Sequence, residues 1–215
     1  MFSNLSDILR SVAILAPPML MAVTVHEVSH GFVAALLGDP TARQAGRLTL
    51  NPIKHLDPLG LLVFIVTQRF GWAKPVPVDM RYFKNPQKGM ALVSIAGPIA
   101  NFTLAVLSAL ALRGLTLACY ASGGPSMGGI LCTPVAYMLD ASVQVNLVLG
   151  IFNLIPIPPL DGGHLVMGFL PPKLAYEVMR RERWGFVVII LLSLTPAFGK
   201  ILGPPVNALY NILLS

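Results

Sequence analysis

Charge is scarce in this chain. Only 11% of its 215 residues are Asp, Glu, Lys or Arg, while 55% are hydrophobic, and the mean hydropathy is +0.73. Soluble domains carry about 25% charged residues, so this composition excludes an ordinary water-soluble fold and points to a membrane protein. Cysteine is nearly absent as well. Cys119 and Cys132 form no CxxC pair, so they give no signature of a cysteine-ligated metal. They fit either a disulfide in an extracytoplasmic loop or two buried thiols. No internal repeat, low-complexity tract or appended soluble domain is visible. The net charge of +6 would suggest nucleic acid in a soluble protein. Here the Lys and Arg fall in a few loops between apolar runs, which makes them topology signals, and no nucleic-acid partner is expected.

The apolar runs supply the architecture, since a span needs about 20 residues. The first, Ile8 to Leu37, ends at Gly38-Asp39-Pro40 and is too long for a secretory signal. A polar stretch, Thr41 to Pro58, follows; its "GRLTL" alternates like a strand and predicts a short β ribbon. Leu59 to Thr67 is only half a membrane thick. Arg43, Arg47 and Lys54 precede it, and Arg69, Lys74, Arg81, Lys84 and Lys88 follow it. Both flanks therefore want the cytoplasmic side, and the run is expected to be re-entrant. Met90 to Leu112 and Pro134 to Ile155 are further spans, joined by a nearly uncharged Gly-rich loop. Trp184 to Leu214, interrupted by Pro196, Gly203, Pro204 and Pro205, reads as one kinked span or as a span plus an interfacial helix. The expected fold is an all-α polytopic membrane protein, a single domain over residues 1–215 with its N-terminus outside. It has about four transmembrane helices, a re-entrant hairpin and a short β ribbon in a cytoplasmic loop.

Inside the first run lies His26-Glu27-Val28-Ser29-His30. Histidines four apart share one helix face and can reach one metal, with Glu27 beside them as a general base, the spacing of HExxH zinc proteases. An ionised side chain at a bilayer centre costs about 2.5 to 3.5 kcal/mol on insertion scales, so such a cluster marks function. Catalytic zinc sites take three protein ligands and leave one position for water. Asp161 is the best candidate for the third. It lies in "NLIPIPPLDGG", where prolines and glycines interrupt the helix, and irregular backbone at membrane depth has to be buried in protein or line a wet cavity. Asp140 is the rival, toward the outer half of its run. On this topology HEVSH and Asp161 share one depth, toward the cytoplasmic leaflet.

Other polar residues are weaker candidates. His55 either approaches the site from the re-entrant region or is a loop histidine bonded to Asp57 or a carbonyl. His164, three residues after Asp161, is a candidate to orient the site, and Asn101 in "AGPIANF" is a candidate contact to the site or the substrate. "WAKPVPVD" has extended Pro-rich backbone that either offers an edge to an unwound substrate or merely connects.

Together, HEVSH in the first run, "AGPIANF" in the middle and "NLIPIPPLDGG" later resemble the site-2 protease family of intramembrane zinc metalloproteases. "GRLTLNPIKHLDPLG" also looks like the loop of that family's compact members, and the match covers about residues 20 to 170. The resemblance implies that His26, His30 and Asp161 bind one zinc per chain and that Glu27 activates the water. It also implies that Asn153 sits near the scissile carbonyl. The activity implied is hydrolysis within or near a transmembrane segment of another membrane protein. The lipid bilayer and that substrate are then the partners, a prokaryotic plasma membrane the setting, and the cytoplasmic side the location of the site. No PDZ or CBS domain is inserted, so recognition has to rest on the core. A metal transporter or channel and a homologue that holds clients without cutting them are the rival readings; neither needs a base beside the metal.

Overall fold

A computed structural model describes residues 4–67, 72–121 and 125–215. Arg69 and the tip of the Gly-rich loop, at 122–124, lie outside the described residues. The helices are α1 (Leu5–Leu36), α2 (Thr41–Gln44), α3 (Pro58–Thr67), α4 (Pro86–Ala121), α5 (Pro125–Asn153), α6 (Asp161–Met167), α7 (Pro172–Arg180), α8 (Glu182–Ser193) and α9 (Pro196–Leu214). Among the described residues, three contain stretches long and apolar enough to cross a bilayer, Leu9–Leu36, Pro86–Tyr120 and Cys132–Asn153. The α8–α9 pair adds a fourth if it counts as one broken span, and its bend of 88° decides against a gently kinked helix. The chain is thus an all-α polytopic membrane protein.

α1 stops where the sequence said it would, with Gly38 at φ 103°, a left-handed conformation that favours glycine. α4 is the central helix and packs along α5, α1 and α6, while α9 lies against α5. The α4–α5 seam is built from Ala105, Ala109, Val143 and Leu147, with Phe102 and Tyr210 packed against it. Small residues let the two backbones approach where no hydrophobic drive separates helix from lipid. Leu9, Phe32, Leu110 and Leu117 point outward and are exposed, as lipid-facing side chains should be. Tyr210 donates to the Asp140 carboxylate at 2.5 Å, and Asp140 also accepts from Gln144, so that acid ties α9 to α5.

The predicted β ribbon does not form. Among the described residues there is no strand, only one isolated antiparallel bridge between Leu56 and Ala73. The cause is local: Asn51 accepts from the Ile53 amide at 3.1 Å and Pro52 has no N–H, so the chain turns directly after Leu50 and leaves too short a run to pair. The half-length run is a ten-residue helix, α3, capped by Asp57, which accepts from the Leu59 and Gly60 amides at 2.9 Å. Beside the Leu56–Ala73 bridge, the Lys74 amide donates to the His55 carbonyl at 2.9 Å. The chain therefore comes back to the point it left, which is the geometry of a re-entrant excursion.

Cys119 and Cys132 are joined in a disulfide that clips the end of α4 to α5, which resolves the open choice between bridge and thiols. In protein isolated without reductant, neither cysteine should react with a maleimide, and both should do so after reduction under denaturing conditions. A gel-shift assay checks this, and labelling before reduction would contradict the bridge.

Candidate metal centre

α1 carries His26 and His30 one turn apart on the face turned toward α4, with ring centroids 4.6 Å apart and planes at 89°. Both are buried. α4 can come this close because residue 97 is glycine: a Cβ there would lie 2.5 Å from His26 Cε1 and 2.6 Å from His30 Nε2. Asp161 arrives from the other side. After α5 ends at Asn153, residues 154–160 fold back and α6 starts at Asp161. The fold-back also needs a glycine, since a Cβ on Gly162 would stand 2.2 Å from the Leu154 carbonyl oxygen. The prolines that interrupt regular helix here place an acid inside the bundle.

The three side chains form a triangle. His26 Nε2 is 3.1 Å from His30 Nε2 and 3.2 Å from Asp161 Oδ2, and His30 Nε2 is 3.4 Å from Asp161 Oδ1. The other ring nitrogens are engaged: His30 Nδ1 donates to the Val93 carbonyl at 2.8 Å, and His26 Nδ1 donates to Asn101 Oδ1 at 2.6 Å. In the neutral rings both Nε2 atoms then carry lone pairs, aimed at each other and at a carboxylate whose buried Oδ2 accepts no hydrogen bond. Three electron donors in mutual contact repel unless a cation lies among them. Ligand–ligand edges of about 3.3 Å are what a tetrahedron with bonds of about 2.0 to 2.1 Å requires, so the donor set fits zinc. His26, His30 and Asp161 are also the group of His, Cys and acidic residues among the described ones whose ligand atoms converge.

Glu27 faces a different element. Its Oε2 accepts from the backbone amide of Val76 at 2.9 Å. Val76 is buried in the extended strap Lys74–Val78 and lies over Gly31. Asn101 is the sequence candidate that touches the cluster directly, through His26. Asn153 is the last residue of α5, its Nδ2 donating to its own helix at Leu149 O. His55 is buried and its Nε2 donates to the Thr49 carbonyl at 2.8 Å, so its partner is a carbonyl, not Asp57. His164 is turned toward Glu182 at 4.0 Å and lines a cavity with Met80, Met90, Met167 and Met179. Two residues escaped the sequence reading. Asn146, whose amide meets that of Asn101, was announced only by being polar inside an apolar helix. Asp39, fully buried, accepts from Thr41 and from the Asp79 amide and so ties the end of α1 to the strap's far end.

Residues 129–194 match the profile of peptidase family M50. YwhC of Bacillus subtilis, named as a candidate zinc metalloprotease, is 41% identical over 190 residues, covering 88% of this chain and 84% of its own. Rip2 of Mycolicibacterium smegmatis, named likewise, is 34% identical over 84% of this chain and 66% of its own. Zinc metalloprotease MJ0392 of Methanocaldococcus jannaschii is 24% identical over 76% of this chain, which spans 36% of that longer protein. No solved structure matches at a significant level.

A methyl at position 97 would press on both imidazoles. Gly97→Ala should therefore reduce zinc retained by the purified protein by about tenfold or more, on the scale of changes that displace ligands. Gly114→Ala, on the same helix with nothing within 4 Å of its Cβ, should leave it unchanged. Elemental analysis of the two variants compares them, and equal zinc content would contradict the packing described.

Proposed function

The chain belongs to peptidase family M50 as a multi-pass membrane zinc metalloprotease of the site-2 protease type, and on that premise we propose that it is an intramembrane endopeptidase. Its substrates on this reading are other membrane proteins, cut within or near a transmembrane segment. The observation that carries the reading is the location of the donor triangle. Two of its members sit on the spanning stretch Leu9–Leu36, buried against a second span rather than in a soluble domain.

His26 Nε2, His30 Nε2 and the Asp161 carboxylate would hold one zinc, which would supply the acidity of a bound water and the polarisation of a carbonyl. Glu27 is the base: its carboxylate takes the proton from the attacking water and returns it to the leaving amine. The Val76 amide engages Oε2, and on this reading the proton goes to Oε1. Asn153 spends one amide hydrogen on the Leu149 carbonyl. The second is available to the developing oxyanion, a contact worth about 3 kcal/mol where such donors have been removed. A helical substrate hides its carbonyls in its own hydrogen bonds and has to unwind locally before attack. The setting is a prokaryotic plasma membrane, with the site toward the cytoplasm and the Cys119–Cys132 clip on the opposite, oxidising side.

Glu27→Gln keeps the ligands and removes the base. It should retain zinc and lose about 10² to 10⁴ in cleavage rate, the range of general-base contributions. Single-span substrates in liposomes test this, with zinc measured on the same preparations. A chelator should stop the wild type and added zinc should restore it. Full activity in Glu27→Gln would overturn the mechanism.

A further inference from the structure

We propose that Asn146, on α5, is a positioning residue for the metal centre: acting through Asn101 on α4, it holds the His26 imidazole with Nδ1 as donor and Nε2 directed to the metal. The proposal rests on the reading that His26 is a zinc ligand. It adds a residue of a third helix, one that touches neither metal nor substrate.

Asn101 and Asn146 are 0% and 1% exposed, so each of their polar atoms needs a partner inside the protein. Asn146 Nδ2 donates to the Ser142 carbonyl at 2.9 Å, and a carbonyl can only accept. Its second hydrogen points to Ser142 Oγ at 3.3 Å, which in turn meets Ser108 Oγ at 2.8 Å. The amide of Asn146 is thereby fixed, and its Oδ1 has to face Asn101. There it accepts from Asn101 Nδ2 at 2.9 Å, while the other Asn101 hydrogen goes to the Ala22 carbonyl at 3.2 Å. With both hydrogens committed, Asn101 presents its oxygen, not its nitrogen, to His26 Nδ1 at 2.6 Å. His26 Nδ1 must then carry the proton, and Nε2 keeps the lone pair that faces Asp161 and His30.

Remove the acceptor at 146 and one hydrogen of a fully buried amide loses its partner. Asn101 can then recover that bond only by rotating, and rotation carries Oδ1 away from His26. Partners of metal-bound histidines typically change metal affinity by about 10 to 100-fold when removed. Asn146 stands one bond farther out, so the lower end, about tenfold, is the expected effect.

The test uses full-length protein in detergent, with zinc affinity from chelator competition and the His26 tautomer from ¹⁵N spectra of the zinc-free form. Asn146→Leu fills the volume without the acceptor; it should bind zinc about tenfold more weakly and show a mixture of His26 tautomers. Asn146→Asp, protonated in this apolar interior, can accept from Asn101 and donate to the Ser142 carbonyl, and should restore both readouts. Zinc affinity in Asn146→Leu within twofold of wild type would overturn the proposal. A weaker affinity with the wild-type tautomer would also overturn it, since the effect would then come from general loosening. If Asn146→Leu does not accumulate, Asn146→Ser, too short to reach Asn101, takes its place under the same criteria. His26→Ala is the control for the underlying reading: wild-type zinc affinity there would remove His26 from the ligand set, whatever Asn146 does.

Discussion

Two imidazole nitrogens and a carboxylate, 3.1 to 3.4 Å apart inside a helix bundle, repel one another unless a cation stands among them, and the rest of the fold is arranged around that demand. Leaving a buried polar group without a partner costs about 1 to 3 kcal/mol, so each ring nitrogen turned away from the cluster is given an acceptor, Val93 O for His30 and Asn101 Oδ1 for His26. Glycine at 97 lets α4 reach the rings, and glycine at 162 lets the chain double back to deliver Asp161. A side chain at 97 would collide with both rings, and one at 162 with the Leu154 carbonyl of the fold-back.

The donor triangle and Glu27 are held by different parts of the molecule. The triangle is wired into α1, α4 and α5 through buried side chains and backbone carbonyls. Glu27, although it lies between the two histidines in sequence, is bonded to the strap Lys74–Val78. The strap is itself anchored by loop residues: Arg47 donates to the Lys74 carbonyl at 2.5 Å, Lys74 donates to His55 O, and Asp39 accepts from the Asp79 amide. Buried Arg47, His55 and Asp39 thus hold the segment whose Val76 amide meets Glu27. Prolines at 75 and 77 keep that segment extended.

The spans and the residues that converge at the centre could be read from sequence because each rests on local information: uninterrupted apolar length for the helices, a four-residue spacing for His26 and His30, and a proline-glycine break for Asp161. Boundaries were less readable. Met90 to Leu112 became Pro86–Ala121, running past Arg113, because that guanidinium reaches the Leu213 carbonyl on α9 at 2.8 Å and so can be carried inside the helix. α5 begins at Pro125 and accommodates Pro134 within it. The ribbon in "GRLTL" was a true alternation with no length left to pair. What no local pattern could announce were bonds between distant residues: Asn101 with Asn146, Glu27 with the amide of Val76, Asp39 with that of Asp79. Their sequence signal was only that polar groups stood where burial was expected.

X-ray absorption at the zinc edge of the purified, membrane-embedded protein tests directly whether His26, His30 and Asp161 hold the metal. The expected spectrum is a four-coordinate first shell of nitrogen and oxygen at about 2.0 to 2.1 Å, with two imidazoles resolved in the outer scattering and no sulfur. His26→Ala should hold less zinc, and the zinc it retains should show one imidazole in place of two. A sulfur shell at about 2.3 Å, or an all-oxygen shell without imidazole, would contradict the assignment of His26, His30 and Asp161 as the metal site.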